Sequence, residues 1–292
     1  MKDKMTWEET IKFIRTLPEF KGLVEKAYFE EDLPLNVERF KKSEEFTETL
    51  QLLKQYQPDA KFLLDIGSGN GISAIALALE GYNVVTIEPD SSDTVGAGAI
   101  RKLKEHYNLS NLEIHEAFAE ELQLPNNNFD IVYARQCLHH AYDLNKFVAE
   151  ASRVTKKRGL FITIRDHVIF NEKDKEWFLA THPLQKFYGG ENAFTPTEYK
   201  NAMVNARLQI IKELKYYDSV INYFPAPKQG IENQLKNRKE KVIEKLRKKI
   251  GIFSTITLVQ KIVFKVVGVS KESVYDESKI PGRMYSYLCF KK

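Results

Sequence analysis

The sequence predicts an α/β fold built on a mostly parallel sheet. Three observations carry that prediction. Short apolar runs alternate with amphipathic stretches from residue 58 onward. A glycine loop, "LLDIGSGNG" (Leu63 to Gly71), joins the first apolar run to the stretch after it. The second run, "NVVTIE" (Asn83 to Glu88), ends on an acid. Alternating strand and helix implies parallel strands joined by right-handed crossovers.

Residues up to Gln57 read as helices. Thr6-Trp7-Glu8-Glu9 is a capping box, in which Thr6 caps and Glu9 reaches back. Ile11, Phe13, Ile14 and Leu17 supply an apolar face. Pro18 breaks the pattern, and "EFKGLVEKAYF" begins it again. Phe40, Phe46, Leu50, Leu52 and Leu53 mark a further amphipathic segment before Pro58. Strands are expected near Phe62–Ile66, Asn83–Glu88, Leu112–His115, Phe129–Ala134 and Gly159–Arg165, with helices between.

Composition narrows the class. The chain has 292 residues, enough for one α/β domain with additions. It is 43% hydrophobic and 29% charged, which describes a globular chain and not a disordered one. Cys137 and Cys289 are too few for a disulfide framework, and Cys137 reads as a core residue of the fourth strand. The N-terminus, "MKDKMTWEET", has no apolar signal region, so a cytoplasmic setting is expected. No uncharged run is long enough to span a bilayer. A net charge of +4 does not by itself point to nucleic acid.

The glycine loop limits the ligand. A dinucleotide fingerprint needs a third glycine where Ile72 stands, and no lysine follows to make a phosphate-binding loop. Asp65 would repel a pyrophosphate but suits a cationic ligand. Glu88, about 20 residues past the loop, is placed to accept hydrogen bonds from ribose hydroxyls. A nucleoside with a cationic tail describes S-adenosylmethionine.

"LLDIGSGNG" and "IEPD" resemble motifs I and II of the class I S-adenosylmethionine-dependent methyltransferases. "AFAEELQLPNNNFDIVYARQCLHH" is similar to the later motifs of the small-molecule, ubiquinone/menaquinone-biosynthesis branch. The resemblance runs from about Phe62 to His167. It implies a Rossmann-like, seven-stranded, mostly parallel sheet with helices on both faces. It also implies a helix from Thr195-Pro196-Thr197-Glu198, a sixth strand in "LQIIKELKYYDSVI" (208–221) and an antiparallel seventh in "RMYSYLCFK". Residues 1–57 become an N-terminal helical cap on a methyltransferase domain of 58–292. Two insertions remain: 168–194, a candidate lid, and 222–282, read as basic and amphipathic.

Site residues follow from the motifs. Asp65, Gly67, Ser68, Gly69 and Gly71 form the cofactor loop, with Glu88 on the ribose. The resemblance puts the turn at Ala119-Glu120 against the adenine, although Phe118 stands where relatives often carry aspartate. It puts the Arg135 backbone near the methionine part, with the side chain open to the cofactor carboxylate or an acidic substrate. His139 and His140 in "CLHH", and Asp166 and His167 in "ITIRDH", end strands four and five. Each is a candidate base or a structural residue. "HPLQKFYGGENAF" (His182 to Phe194) is a candidate lid or an incidental turn. Neither zinc-type Cys/His spacing nor several converging acids are evident, so no metal is expected.

The expected function is methyl transfer from S-adenosylmethionine to a small molecule or glycan, with oxygen the favoured acceptor. A cofactor-binding module without catalysis and a nicotinamide oxidoreductase are the alternatives. From Lys228 to Lys249, nine basic and three acidic residues give a net +6, leaving the rest of the chain at −2. With the apolar stripe that continues to 269, this segment reads as a lid with a wet basic face or as a dock on an anionic membrane, near a lipid-linked acceptor. Nucleic acid is the weaker partner.

Overall fold

The computed structural model describes residues 4–250 and 275–292. Four helices open the chain: α1 (Trp7–Arg15), α2 (Lys21–Lys26), α3 (Leu33–Lys41) and α4 (Glu44–Tyr56). The Thr6 capping box forms as its sequence predicts, with Thr6 Oγ1 accepting from Glu9 N and Glu9 accepting from Thr6 N. The segment from Phe40 to Leu53 is broken at Ser43. Its hydroxyl accepts from Phe46 N and starts α4 as a new helix.

The alternating core follows: β1 (Phe62–Ile66), α5 (Ile72–Leu79), β2 (Asn83–Ile87), α6 (Ala97–His106), β3 (Leu112–His115), β4 (Phe129–Arg135), α7 (Leu144–Val154) and β5 (Thr155–His167). α8 (Glu172–Thr181), α9 (Pro196–Asn205), β6 (Leu208–Leu214), α10 (Val220–Tyr223), α11 (Lys228–Ile250) and β7 (Met284–Lys291) complete it. The sheet order is β3-β2-β1-β4-β5-β7-β6. The first five strands pair in parallel, and β7 runs antiparallel to both β5 and β6. The chain thus reverses its direction of winding between β1 and β4, the crevice where such sheets take ligands.

The strand residues are apolar because both faces of the sheet are covered. Ile72, Ala74, Ile75, Ala76 and Leu77 of α5 pack on one face with Phe40, Phe46 and Leu53. Phe147, Val148 and Ala151 of α7 pack on the other with Tyr199 and Met203 of α9.

The sixth strand is shorter than its sequence suggests. "LQIIKELKYYDSVI" leaves the sheet after Leu214, because the Asn222 side chain donates to Leu214 O and Lys215 O and Asp218 accepts from Lys215 N. That turn makes Ile221 and Asn222 core residues of α10, and the inserted segment starts beyond them. Cys137 is also displaced from the expectation: it follows β4 in the loop beyond the strand end. α11 docks through Ile231, Leu235 and Arg238, one narrow stripe, while Lys228, Lys236, Lys239 and Lys241 face outward. The apolar face expected over Ile252, Ile256, Val259, Val263 and Val266 lies outside the described residues. Among those described, no helix is long and apolar enough to cross a membrane.

Candidate active site

The glycine loop turns sharply out of β1. Gly67, Gly69 and Gly71 all have positive φ, which favours glycine. The three differ in surroundings. A Cβ on Gly67 would collide with Cys137 Sγ at 2.1 Å, and one on Gly71 would meet Ile100 at 2.8 Å. One on Gly69 would meet nothing nearer than Val95 O at 3.9 Å. Gly67 and Gly71 therefore answer to packing, and Gly69 faces open space beside the crevice.

Two buried acids flank this space. Asp65 Oδ2 accepts from Ser68 Oγ at 2.7 Å and Ser73 Oγ at 2.8 Å, which closes the loop on itself. Asp65 Oδ1 is buried with no partner. Burial pushes the Asp65 carboxyl up to about 6, against the opposing effect of the two serines. Glu88, just past β2, accepts from Gly69 N at 2.7 Å and Asp90 N at 3.0 Å. Burial pushes it up to about 7. Each Glu88 oxygen keeps a further lone pair after those bonds.

S-adenosylmethionine fits these residues. The orphan Asp65 oxygen lacks a donor, Glu88 retains acceptor capacity for a diol, and Gly69 leaves room for close approach. Ser68 donates its hydroxyl to Asp65, and its backbone carbonyl accepts from Gly71 N. Ala119 is buried, Phe118 is 70% exposed, and Glu120 accepts from Tyr142 N at 2.9 Å. Glu120 thus ties the adenine-side turn to the segment before α7.

Arg135 is placed differently from either role its side chain was assigned. Its guanidinium forms a bidentate pair with Glu45 of α4, with Nε to Oε1 at 2.5 Å and a second bond at 3.1 Å. Arg165 reaches the same carboxylate at 3.6 Å and donates to Ile221 O at 2.6 Å. Despite burial, the two guanidinium charges hold the Glu45 carboxyl below its ordinary range. Glu45 was missed from sequence because it reads as an ordinary first-turn acid of α4. The available signal was its place on the buried face, with Thr49 and Leu53 at helical spacing.

The second half of the site lies past β4 and β5. Asp166 Oδ1 lies 3.1 Å from both the backbone N and Nδ1 of His139. The His139 ring lies 4.1 Å from that of His140 and 4.8 Å from that of His167, centroid to centroid. Burial moves this group toward uncharged forms. Asp166 rises to about 7, His167 falls to about 3, and His139 falls well below its ordinary value. His140 and His182 are also lowered, chiefly by burial, and Glu191 is raised by it. The sequence named His182 and Glu191 only as parts of a loop. The fold brings them to the histidines, with His182 Nδ1 at 3.6 Å from Glu191 and His140 Nε2 at 4.0 Å.

That loop belongs to a cover. Phe187 stacks edge-on with Phe13 and Phe20, and Tyr188 packs on Trp7. Leu184 joins Ile11, Ile14, Val24 and Val95 in one apolar cluster. Burial, then the charges of Glu191, Asp90 and Glu88, push the Tyr188 phenol up. Asn70 of the glycine loop donates to Tyr28 O at 2.7 Å, tying the cover to the cofactor side.

Residues 64–163 match a family model described as a methyltransferase domain. An uncharacterized methyltransferase of Bacillus subtilis is 30% identical over 112 residues, covering 36% of this chain and 40% of its own. A ubiquinone/menaquinone biosynthesis C-methyltransferase of Rickettsia akari is 33% identical over 130 residues, 43% of this chain and 50% of its own. These alignments cover half or less of either relative. The geranyl diphosphate C-methyltransferase structure from Streptomyces coelicolor shares the fold, with a TM-score of 0.55 at 13% identity, covering 84% of this chain and 79% of that one. With the sheet order and the glycine loop, these matches identify a class I S-adenosylmethionine-dependent methyltransferase domain over residues 64–163. Within that domain the matched stretch is similar to the ubiquinone/menaquinone-biosynthesis relatives.

Proposed function

We propose that the protein transfers a methyl group from S-adenosylmethionine to an oxygen of a small molecule or glycan. One observation carries this reading. The Asp65–Glu88 pair and the His139–Asp166 group lie at the carboxyl ends of neighbouring strands, joined by the loop whose Cys137 sits against Gly67.

When bound, the cofactor supplies a methyl group already activated on a sulfonium. The protein's own share is therefore alignment and proton handling. Asp65 offers its free oxygen to the cationic end, and Glu88 orients the ribose. Trp7, Phe187 and Tyr188 limit the entry of water. A hydroxyl acceptor must lose its proton as the new bond forms. His140 is the group placed for this: its Nδ1 lies 3.3 Å from Gly190 O, which fixes the proton there and leaves Nε2 to accept. Asp166 orients His139 beside it.

The test is transfer of labelled methyl from S-adenosylmethionine across panels of phenols, sugars, amines and activated carbons, with cofactor binding measured in parallel. Turnover confined to hydroxyl acceptors is expected. Binding without turnover on any class would leave a cofactor-binding module, and selective binding of NAD would overturn the family-based cofactor. The exposed lysines of α11 favour a second reading, in which the acceptor is lipid-linked and met at an anionic membrane face. Flotation with anionic and neutral liposomes at low and high salt decides it: no binding to anionic vesicles at low salt removes it.

A further inference from the structure

Four of the chain's six histidines, His139, His140, His167 and His182, gather with Glu191 at the mouth of the acceptor side. They come from three stretches far apart in sequence, after β4, at the end of β5 and in the loop after α8. One ligand atom from each of His139, His140 and Glu191 lies within 4.8 Å of the others. His182 Nδ1 lies 3.6 Å from Glu191 Oε1, and it is buried with no hydrogen-bond partner.

The surrounding bonds set the tautomers. Nδ1 of His139 meets the Asp166 carboxylate at 3.1 Å, Nδ1 of His140 meets Gly190 O at 3.3 Å, and Nδ1 of His167 meets Gly282 O at 3.1 Å. Oxygens accept in all three cases, so the ring proton sits on Nδ1 and the lone pair is left on Nε2. Histidines that ligate metals are held in this way, with one nitrogen on a carboxylate or carbonyl and the other free for the ion. A lone core histidine needs one such bond; here His139 and His140 each bring a ligand atom to Glu191, and the unpartnered His182 Nδ1 faces the same carboxylate.

We propose that His139, His140 and Glu191 bind one divalent transition-metal ion, with His182 drawn in beside Glu191 as a fourth ligand and zinc the best match to the donor set. Imidazole nitrogens with one carboxylate suit zinc and its first-row neighbours, whereas magnesium and calcium prefer oxygen. Ligand atoms around a tetrahedral zinc stand about 3.4 Å apart, given bonds of about 2.1 Å. The ligand atoms of His139, His140 and Glu191, within 4.8 Å of one another, reach that spacing with a contraction of up to about 1.4 Å. Asp166 and Gly190 O then serve as outer partners that orient the rings. Release of His140 from the ion would open a position for the acceptor hydroxyl, whose acidity the ion would raise, and return the His140 Nε2 to accept its proton. This last role rests on the methyltransferase reading, whereas metal binding does not.

Untagged protein stripped with a chelator is dialysed against zinc, and bound metal is counted by elemental analysis. About one equivalent per chain is expected. Cobalt in its place should give the visible bands of a four- or five-coordinate nitrogen–oxygen site. Glu191→Gln and His182→Ala should each weaken binding at least tenfold, and His115→Ala, on β3 away from the cluster, should leave it unchanged. Circular dichroism and S-adenosylmethionine binding check that the variants remain folded. Failure to retain stoichiometric metal, or binding indifferent to both cluster variants, overturns the site. Loss of cofactor binding in the wild type would instead strike the methyltransferase reading and leave the metal count standing.

Discussion

The cofactor side takes its groups from one contiguous stretch, Asp65 to Glu88, whereas the acceptor side collects His139, His140, Asp166, His182 and Glu191 from three distant ones. Their bonding differs in the same sense. Glu88 is held by the amides of Gly69 and Asp90, and the loop by Ile87 O, all near in sequence or paired through the sheet. Acceptor-side residues are held by long-range contacts: His167 by Gly282 O, His140 by Gly190 O, and Phe187 by the rings of α1 and its neighbours. A locally bonded site folds with its own strand–turn–helix unit. A site assembled from distant segments exists only once the cover is seated.

The sharpest way to break this contrast is at the joint between cover and sheet. Glu45→Ala leaves Arg135 and Arg165 buried without their shared carboxylate. Removing one partner of a buried ion pair costs about 3–5 kcal/mol. Urea unfolding of the variant should show that loss. A midpoint unchanged from wild type would mean that α4 is held by its apolar contacts alone.

A smaller effect is expected within the cofactor side. Asp65→Ala and Glu88→Ala remove hydrogen bonds to charged groups, worth about 1.5–3 kcal/mol each. Calorimetry should record the corresponding rise in Kd for S-adenosylmethionine, while the cover and its aromatic fluorescence stay native. Equal affinity in both variants would detach the glycine loop from the cofactor.

The mildest perturbation is pH. Burial raises the Asp65 and Glu88 carboxyls to about 6 and about 7 in the ligand-free fold. The folded protein therefore keeps protons that the unfolded chain has released, and the contribution of these groups to stability falls as pH rises from the ordinary carboxylate range through about 7. Cofactor binding runs the other way, because the ionised acids are the ones that hold it. Thermal melts with and without S-adenosylmethionine should show ligand stabilisation growing from pH 5.5 to 7.5. Stabilisation constant across that range would show that neither acid changes protonation on binding.

How far each part was legible follows from the same contrast. The glycine loop, the place of Glu88 at the end of β2, the five parallel strands and the Thr6 capping box were readable because each depends on residues close in sequence. The end of β6 was not, since the turn there depends on Asn222 donating back to Leu214 and Lys215. Cys137 falls outside the strand because β4 ends at Arg135 and Gln136 turns the chain with a positive φ. Arg135 gave no sign of its partner, because Glu45 lies 90 residues away.

The sequence by itself determined the class of the fold, the glycine turn and the pair of acids that suit a cationic nucleoside. Backbone geometry and hydrophobic period are local properties, and a single stretch of chain contains them whole. Tertiary structure alone decided that Glu45 binds two arginines, that residues 184–188 pack on α1, and that His182 and Glu191 reach the histidines after β4. Those outcomes depend on which surfaces meet when the sheet is covered, and on burial, which sets the charge of each group only after water has left.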